Sequence, residues 1–233
     1  MILAIDTSTA LTSVSATHAD DVIIELSHLD ARKHAEVLAP MLSEVLAHVD
    51  RTAIDAIAVG VGPGPYTGLR VGIATSTALG AAWTLPVYGL CSLDAIAEAR
   101  RDRHAPGSFG VASDARRKEI YWAWYDEHAA RVDGPRVGRR ADIDEHLLRG
   151  EWIGDLGVDQ PADEVPTHPL SSWVGRRVSR LLREGVQVAT AEALLASHGN
   201  DGGSTSDALR GIDLLAPRPL YIRRPDAGPP GTP

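Results

Sequence analysis

A chain of 233 residues, 44% of them hydrophobic, suits one large domain or two small ones, and it can bury roughly 70 to 75% of its unfolded surface without a metal or disulfide. Its 31 acidic residues against 23 basic ones leave a formal charge of -8, which excludes an unaided tight grip on nucleic acid. The single cysteine, Cys91, excludes a disulfide framework and a thiolate zinc site.

The opening MILAID reaches a carboxylate after five residues without a basic leader, so no signal peptide is expected and the cytoplasm is the expected compartment. Residues 2 to 6, 12 to 17 and 22 to 29 read as three consecutive antiparallel strands, with a turn at Asp20 and Asp21. From His34 to Val49 the apolar positions Leu38, Met41, Leu42, Val45, Leu46 and Val49 keep a helical repeat. With Ala35 the stripe covers nearly half the circumference, more than one sheet contact requires. A strand at Ala56 to Val61, a helix, a strand at Val87 to Leu90 and a helix opened by Ser92 follow.

The helix between those strands is the unusual one. Gly60, Gly62, Pro63, Gly64 and Pro65 force a rigid turn, and Thr67 is placed to cap what comes next. At the helical period Gly68, Gly72, Ser76 and Gly80 fall in a line flanked by Leu69, Ile73, Leu79 and Trp83, with Val71, Ala74, Ala78, Ala81, Ala82 and Leu85 opposite. Only Arg70 is charged. A helix apolar all round is buried all round, so the expectation is a sheet on one side and another protein against the small residues. The same line also suits packing inside one domain, under a second layer of this chain. Residues 71 to 93 carry no charge, but their threonines, Pro86 and three glycines make them too polar and too broken for a membrane span.

A basic link at Arg100 to Gly107 leads to a second unit. Strands are expected at Phe109 to Ser113, at the aromatic-rich Glu119 to Tyr125 and at Ala129 to Val132, helices at 141 to 148 and 172 to 184, and a late strand at Leu220 to Ile222. Residues 199 to 205 read as a loop within a polar insertion at 197 to 211, and 225 to 233 as a disordered tail. The resulting division is 1–103, 104–224 and the tail 225–233, with no internal repeat visible. Charge is uneven: residues 1–100 carry 5 basic and 11 acidic groups, residues 101–233 carry 18 and 20. Any basic patch therefore falls in the later part, at Arg116, Arg117 and Lys118, at Arg136, Arg139 and Arg140, along Arg176, Arg177, Arg180 and Arg183, or at Arg223 and Arg224.

Catalytic signatures are sparse. The glycine run misses the dinucleotide fingerprint and has no P-loop lysine. Asp6, Thr7, Ser8 and Thr9 are similar to the Asp-x-Gly-Thr turn by which actin-like ATPases approach phosphates and a magnesium-bound water. Ser8 stands at the glycine position, where a side chain hinders close backbone approach, so Asp6, Thr7 and Thr9 are expected to contact nucleotide weakly at most. Nine histidines are scattered without metal spacing, no G-x-S-x-G elbow occurs, and Cys91 reads as a core residue.

MILAIDTST, His34-Ala35-Glu36, GPGPYTGLRVG, Ser92-Leu93, DARRKEIY and PLYIRR together resemble the TsaB (YeaZ) family over most of the chain. The resemblance implies an actin-like ATPase (ASKHA) fold with two α/β lobes of mixed sheet, the second reduced. It implies a non-catalytic subunit of bacterial tRNA threonylcarbamoyladenosine synthesis, binding a TsaD-like catalytic subunit, with a TsaE-like ATPase joining and tRNA reached through the complex. Leu38, Met41, Leu42, Val45, Gly68, Gly72, Ser76 and Gly80 are the expected interface, which the free chain can use for a homodimer. No tightly bound cofactor or metal is expected, ATP or ADP entering only in the assembled complex. A TsaD-like chain carries a His-x-x-x-His pair, whereas Leu38 stands four residues after His34. Two other readings stay open from the residues alone: an actin-like phosphotransferase using ATP on a small molecule, resting on the Asp6 turn, and a metallopeptidase, for which ligands are missing.

Overall fold

The computed structural model describes residues 1–101, 107–154, 168–189, 213–220 and 222. Strands β1 (Ile2–Asp6), β2 (Leu11–His18) and β3 (Asp21–Leu29) form an antiparallel meander. Helix α1 (His34–Ala47) returns the chain to β4 (Ala56–Gly60), and α2 (Tyr66–Trp83) returns it to β5 (Val87–Leu90); β4 runs parallel to both β1 and β5. Both crossovers are helical, as a parallel neighbour requires.

β1 and β4 are buried along their whole length because the sheet is covered on both faces. Leu3 and Ile5 point to the side where Leu38, Leu42 and Val45 of α1 pack with Val14 and Ala16. On that side too, Val59 and Val61 meet Leu69 and Ile73 of α2. The alternate residues Ile2, Ala4, Ala56 and Ala58 point the other way, onto Val174, Val178 and Leu181 of α5 (Ser171–Arg183).

The second lobe is a smaller sheet of β6 (Phe109–Asp114), β7 (Ile120–Tyr125), β8 (Arg131–Gly138) and β9 (Glu151–Gly154), with the short helix α4 (Glu145–Leu148) before its last strand. Its order is β8-β7-β6-β9, with β9 parallel to β6, which repeats the order β3-β2-β1-β4 of the first lobe. Each lobe thus starts with a strand that ends on an aspartate at a hairpin tip, Asp6 in one and Asp114 in the other. The repeat lies in topology and not in residues, which is why the sequence did not display it.

Several expectations need correction. The second lobe does not extend over 104–224: α5 lies on the first sheet, and β10 (Val188–Ala189) and β11 (Leu214–Leu215) extend that sheet beyond β5. The apolar stripe of α5 fitted either lobe, and only the exposed underside of the first sheet needed a helix. Leu220 and Ile222 lie outside any strand, and Leu220 donates its N–H to the Val61 carbonyl at 2.8 Å. The third strand of the second lobe is longer than expected, β9 was not anticipated, and the helix expected at 141 to 148 is a 3-10 turn (Arg140–Asp142) followed by α4. The loop at 199 to 205, the insertion at 197 to 211 and the tail at 225–233 lie outside the described residues.

Helix α3 (Ser92–Arg101) joins the lobes. Leu93, Ile96 and Ala97 pack with Phe109, Val111 and Tyr125 of the second lobe, while Ala95 packs with the α5 side of the first. Ser92, Asp94, Glu98 and Arg100 on this helix are buried as well. Asp94 accepts from the Tyr125 hydroxyl at 2.7 Å and from Arg131 Nε at 3.0 Å. Glu98 accepts from Arg180 Nη2 at 3.0 Å, and Arg177 donates to the Ala129 carbonyl at 3.0 Å and to Asp213 at 3.2 Å. These arginines hold Glu98 below the usual carboxylate range against the opposing effect of burial. Burial pushes the Cys91 thiol at the head of α3 up to about 12, consistent with an inert core residue.

Candidate partner interface and the Asp6 turn

The end of β1 is a closed polar lock. Asp6 Oδ1 accepts the Ser8 N–H at 2.8 Å and the Ser8 hydroxyl at 2.7 Å, and Oδ2 accepts the Ser92 hydroxyl at 2.9 Å. Ser92 in turn donates its N–H to the Gly62 carbonyl at 2.7 Å and accepts the Gly62 N–H on its hydroxyl at 3.2 Å. Asp6, Thr7 and Ser8 are fully buried, and burial outweighs the three donors to push Asp6 up to about 6. The loop from Gly62 to Pro65 lies over this turn so closely that a Cβ on Gly64 would overlap the Ser8 carbonyl.

Thr7 turns to α2 instead. Its hydroxyl donates to the Gly68 carbonyl at 2.8 Å and accepts the Gly72 N–H at 3.2 Å. Thr9, half-buried, accepts the Leu11 N–H at 3.3 Å. The Asp6 carboxylate and the Thr7 hydroxyl are therefore engaged inside the protein, connecting β1 to the β4 loop, α2 and α3, while Thr9 stays within its own turn. In this geometry the buried oxygens of Asp6 and Thr7 are turned to partners within the protein.

The same contacts correct the expected interface. Gly68, Gly72, Ser76 and Gly80 are the buried side of α2: a Cβ on Gly68 would overlap the Thr7 carbonyl, one on Gly72 the Thr7 hydroxyl, and one on Gly80 the Val87 side chain. The small residues let the helix settle on the hairpin tip and strand of its own sheet, so the single-domain packing alternative applies to them. Leu69 and Ile73, branched apolar residues beside that line that are buried with it, were the signal, since a helix turns its largest apolar area to its own core. On α1, Leu38, Leu42 and Val45 are likewise core residues, and only Met41 reaches the rim.

What α2 leaves exposed is Tyr66, Thr67, Arg70, Ala74, Thr77, Ala78, Ala81 and Ala82. Arg70 Nη1 donates to the Tyr66 hydroxyl at 2.9 Å, and the guanidinium lies 5.0 Å from that ring. Alongside it, α1 leaves Ala35, Glu36, Ala39, Pro40, Ser43, Glu44 and Ala47 exposed. His34, at the start of α1, is buried with Nδ1 2.7 Å from the Thr12 hydroxyl, and burial holds its imidazole below the usual histidine range. Among the described residues no three His, Cys, Asp or Glu side chains gather as a metal site, and no helix is long and apolar enough to cross a membrane.

Residues 27–166 match the family model described as TsaD, tRNA N6-adenosine threonylcarbamoyltransferase. The tRNA threonylcarbamoyladenosine biosynthesis protein TsaB of Escherichia coli is 32% identical over 165 residues, covering 65% of this chain and 69% of that one. The chain belongs to the TsaB (YeaZ) family. An uncharacterized protein of Mycobacterium tuberculosis is 36% identical over 233 residues, covering 98% of this chain and 94% of the relative. Among solved structures, YeaZ from Pseudomonas aeruginosa superposes with a TM-score of 0.66 at 26% identity, covering 79% of this chain and 92% of that chain. The TsaB resemblance and the two-lobed actin-like architecture expected from the sequence are both borne out, and with them a place in tRNA threonylcarbamoyladenosine biosynthesis.

Proposed function

We propose that this TsaB-family chain is the non-catalytic subunit that binds and activates a TsaD-like catalytic subunit, with a TsaE-like ATPase joining the same cytoplasmic complex. The observation that carries the reading is the free face of α2. A surface helix of a monomer carries charge on its outer side, whereas here Ala74, Ala78, Ala81 and Ala82 are exposed with Arg70 the single charged residue of the helix. Alanines allow close approach of another helix, and the small outer face of α1 widens the surface. Tyr66 and Arg70 supply the aromatic and guanidinium groups in which interface energy concentrates. In the absence of the partner the same face supports a homodimer.

The Asp6 turn takes a structural part in this reading, and nucleotide enters only at the assembled interface. Titration of the chain against a TsaD-like subunit, followed by threonylcarbamoyl transfer to tRNA with and without the chain, tests it. A stable complex and transfer dependent on the chain are expected. A chain that neither binds the TsaD-like subunit nor alters its activity overturns the proposal.

A further inference from the structure

The loop joining β6 to β7 is built against backbone preference. Asp114 accepts the Arg116 N–H at 2.7 Å, Glu119 donates to the Arg116 carbonyl at 3.0 Å, and Ala115 donates to the Glu119 carbonyl at 3.0 Å. Between these closures Arg116, Arg117 and Lys118 follow one another at φ of 64°, 57° and 63°. Left-handed backbone is disfavoured for an L-residue with a Cβ, and glycine or asparagine ordinarily takes such positions. All three side chains are exposed, so burial does not offset that cost. At Arg116 the ion pair with Asp114, 3.6 Å between two exposed groups, offsets little of it.

The tip is nevertheless anchored. Ala115 is 3% exposed and packs with Cys91, Phe109, Val111 and Tyr121 in the core between the lobes. Leu220 and Ile222 pack on the same cluster, two and four residues after the exposed Arg218. A rigid base thus holds three consecutive cations outward on a chain whose overall charge is -8. Strain retained in an exposed, anchored segment points to use of the side chains themselves.

We propose that Arg116, Arg117 and Lys118 form a contact for the phosphodiester backbone of RNA, and that within the complex they hold the tRNA. This rests on the functional reading above. A small anion is taken by a concave site with converging donors, whereas an exposed tip with a row of cations matches the repeating charge of a polyanion. The acidic remainder of the chain makes the contact local, weak in the free subunit and sensitive to salt.

The test uses the full chain, alone at low salt and assembled with a TsaD-like subunit, titrated with an unmodified tRNA transcript and separately with ATP. The triple variant Arg116→Gln, Arg117→Gln, Lys118→Gln is expected to bind tRNA more weakly at low salt, with a log affinity against log salt slope shallower by about 2 to 3. Its assembly with the partner and its response to ATP should match the parent. Arg117→Gly should melt higher than the parent while also losing tRNA affinity, because glycine removes the left-handed strain along with the cation. A parent-like salt slope in the triple variant overturns the proposal. So does a lower melting point for Arg117→Gly, loss confined to ATP, or loss of assembly, which puts the tip in the protein interface. Failure of the parent chain to assemble sinks the functional reading alone, since the titrations of the free chain still decide the tip.

Discussion

The Thr7 hydroxyl sits on the backbone of α2, donating to the Gly68 carbonyl at 2.8 Å and accepting from Gly72 at 3.2 Å, across 61 and 65 positions of chain. One side chain at the tip of the first hairpin therefore fixes both the height and the rotation of the helix. Rotation matters because it decides which residues are left for a partner: with the glycines held down on Thr7, the alanines must face out.

Gly72→Ala should destabilise the isolated chain, since its Cβ would overlap the Thr7 hydroxyl. Overpacking of this kind costs about 1 to 3 kcal/mol. At this chain length each kcal/mol lowers the melting temperature by roughly 2 to 4 °C. Ser76→Leu should lower it at least as much, because Ser76 is fully buried. Ser76→Ala should leave it unchanged or raise it, because the Ser76 hydroxyl is buried with no hydrogen-bond partner among the described residues. Thermal melting of the three variants checks the rotation of α2; an unperturbed Ser76→Leu would mean that the small residues face outward after all.

Asp6 makes a signed pH prediction. Its pKa rises from 3.8 to about 6 on folding, so between those values the native state keeps a proton that the unfolded chain has lost. The contribution of Asp6 to stability is therefore greatest below pH 3.8, falls as pH rises toward 6 and is flat above, a loss on the order of 3 kcal/mol. Asp6→Asn cannot ionise. Its stability relative to the parent should climb across that window and stand level or higher at pH 7.5, read from denaturant midpoints at each pH. A variant that instead loses micromolar ATP binding would restore the phosphotransferase reading.

The order of elements in the first lobe was legible because each strand and helix has its own period and its own punctuation: MILAID, the turn at Asp20 and Asp21, the glycine block and Ser92 all fell where the structure has boundaries. The rotation of α2 was not. Two apolar sides of one helix look alike by periodicity, and the residue that breaks the tie, Thr7, is far away in sequence. Lobe membership of α5 failed for a related reason, since Val174, Val178 and Leu181 specify an apolar face without specifying which sheet lacks a cover. The left-handed run at Arg116 to Lys118 had no local signal, because those residue types normally avoid that conformation.

Arg177 tests how the lobes are held together. It is 1% exposed, and its guanidinium reaches the Ala129 carbonyl from the second lobe, Asp213 beside β11 and, at 3.4 Å, Glu98 on α3. Removing one partner of a buried ion pair leaves the others without compensation, and costs about 3 to 5 kcal/mol. Arg177→Ala should therefore unfold at much lower denaturant than the parent. Adding Glu98→Gln to it should cost less than the sum of the two single changes, because the carboxylate left behind is then neutralised. Additive losses would show that Arg177 acts by packing alone.

The outer face of α2 supplies the last test, and it is the reverse of the Gly72 experiment. Ala74 and Ala78 are exposed, so larger side chains there have room in the free subunit, and melting should be within about 0.5 kcal/mol of the parent. Against a TsaD-like partner packed on those alanines, the added bulk of Ala78→Leu would push the helices apart at a cost of about 1 to 3 kcal/mol, or roughly 5- to 150-fold in affinity. Ala78→Glu should weaken binding further, by stranding a charge in an apolar contact. The paired measurement is what discriminates: unchanged melting with weakened binding places the partner on this face. Unchanged melting with unchanged binding moves it elsewhere, and the exposed alanines of α2 would then need another explanation.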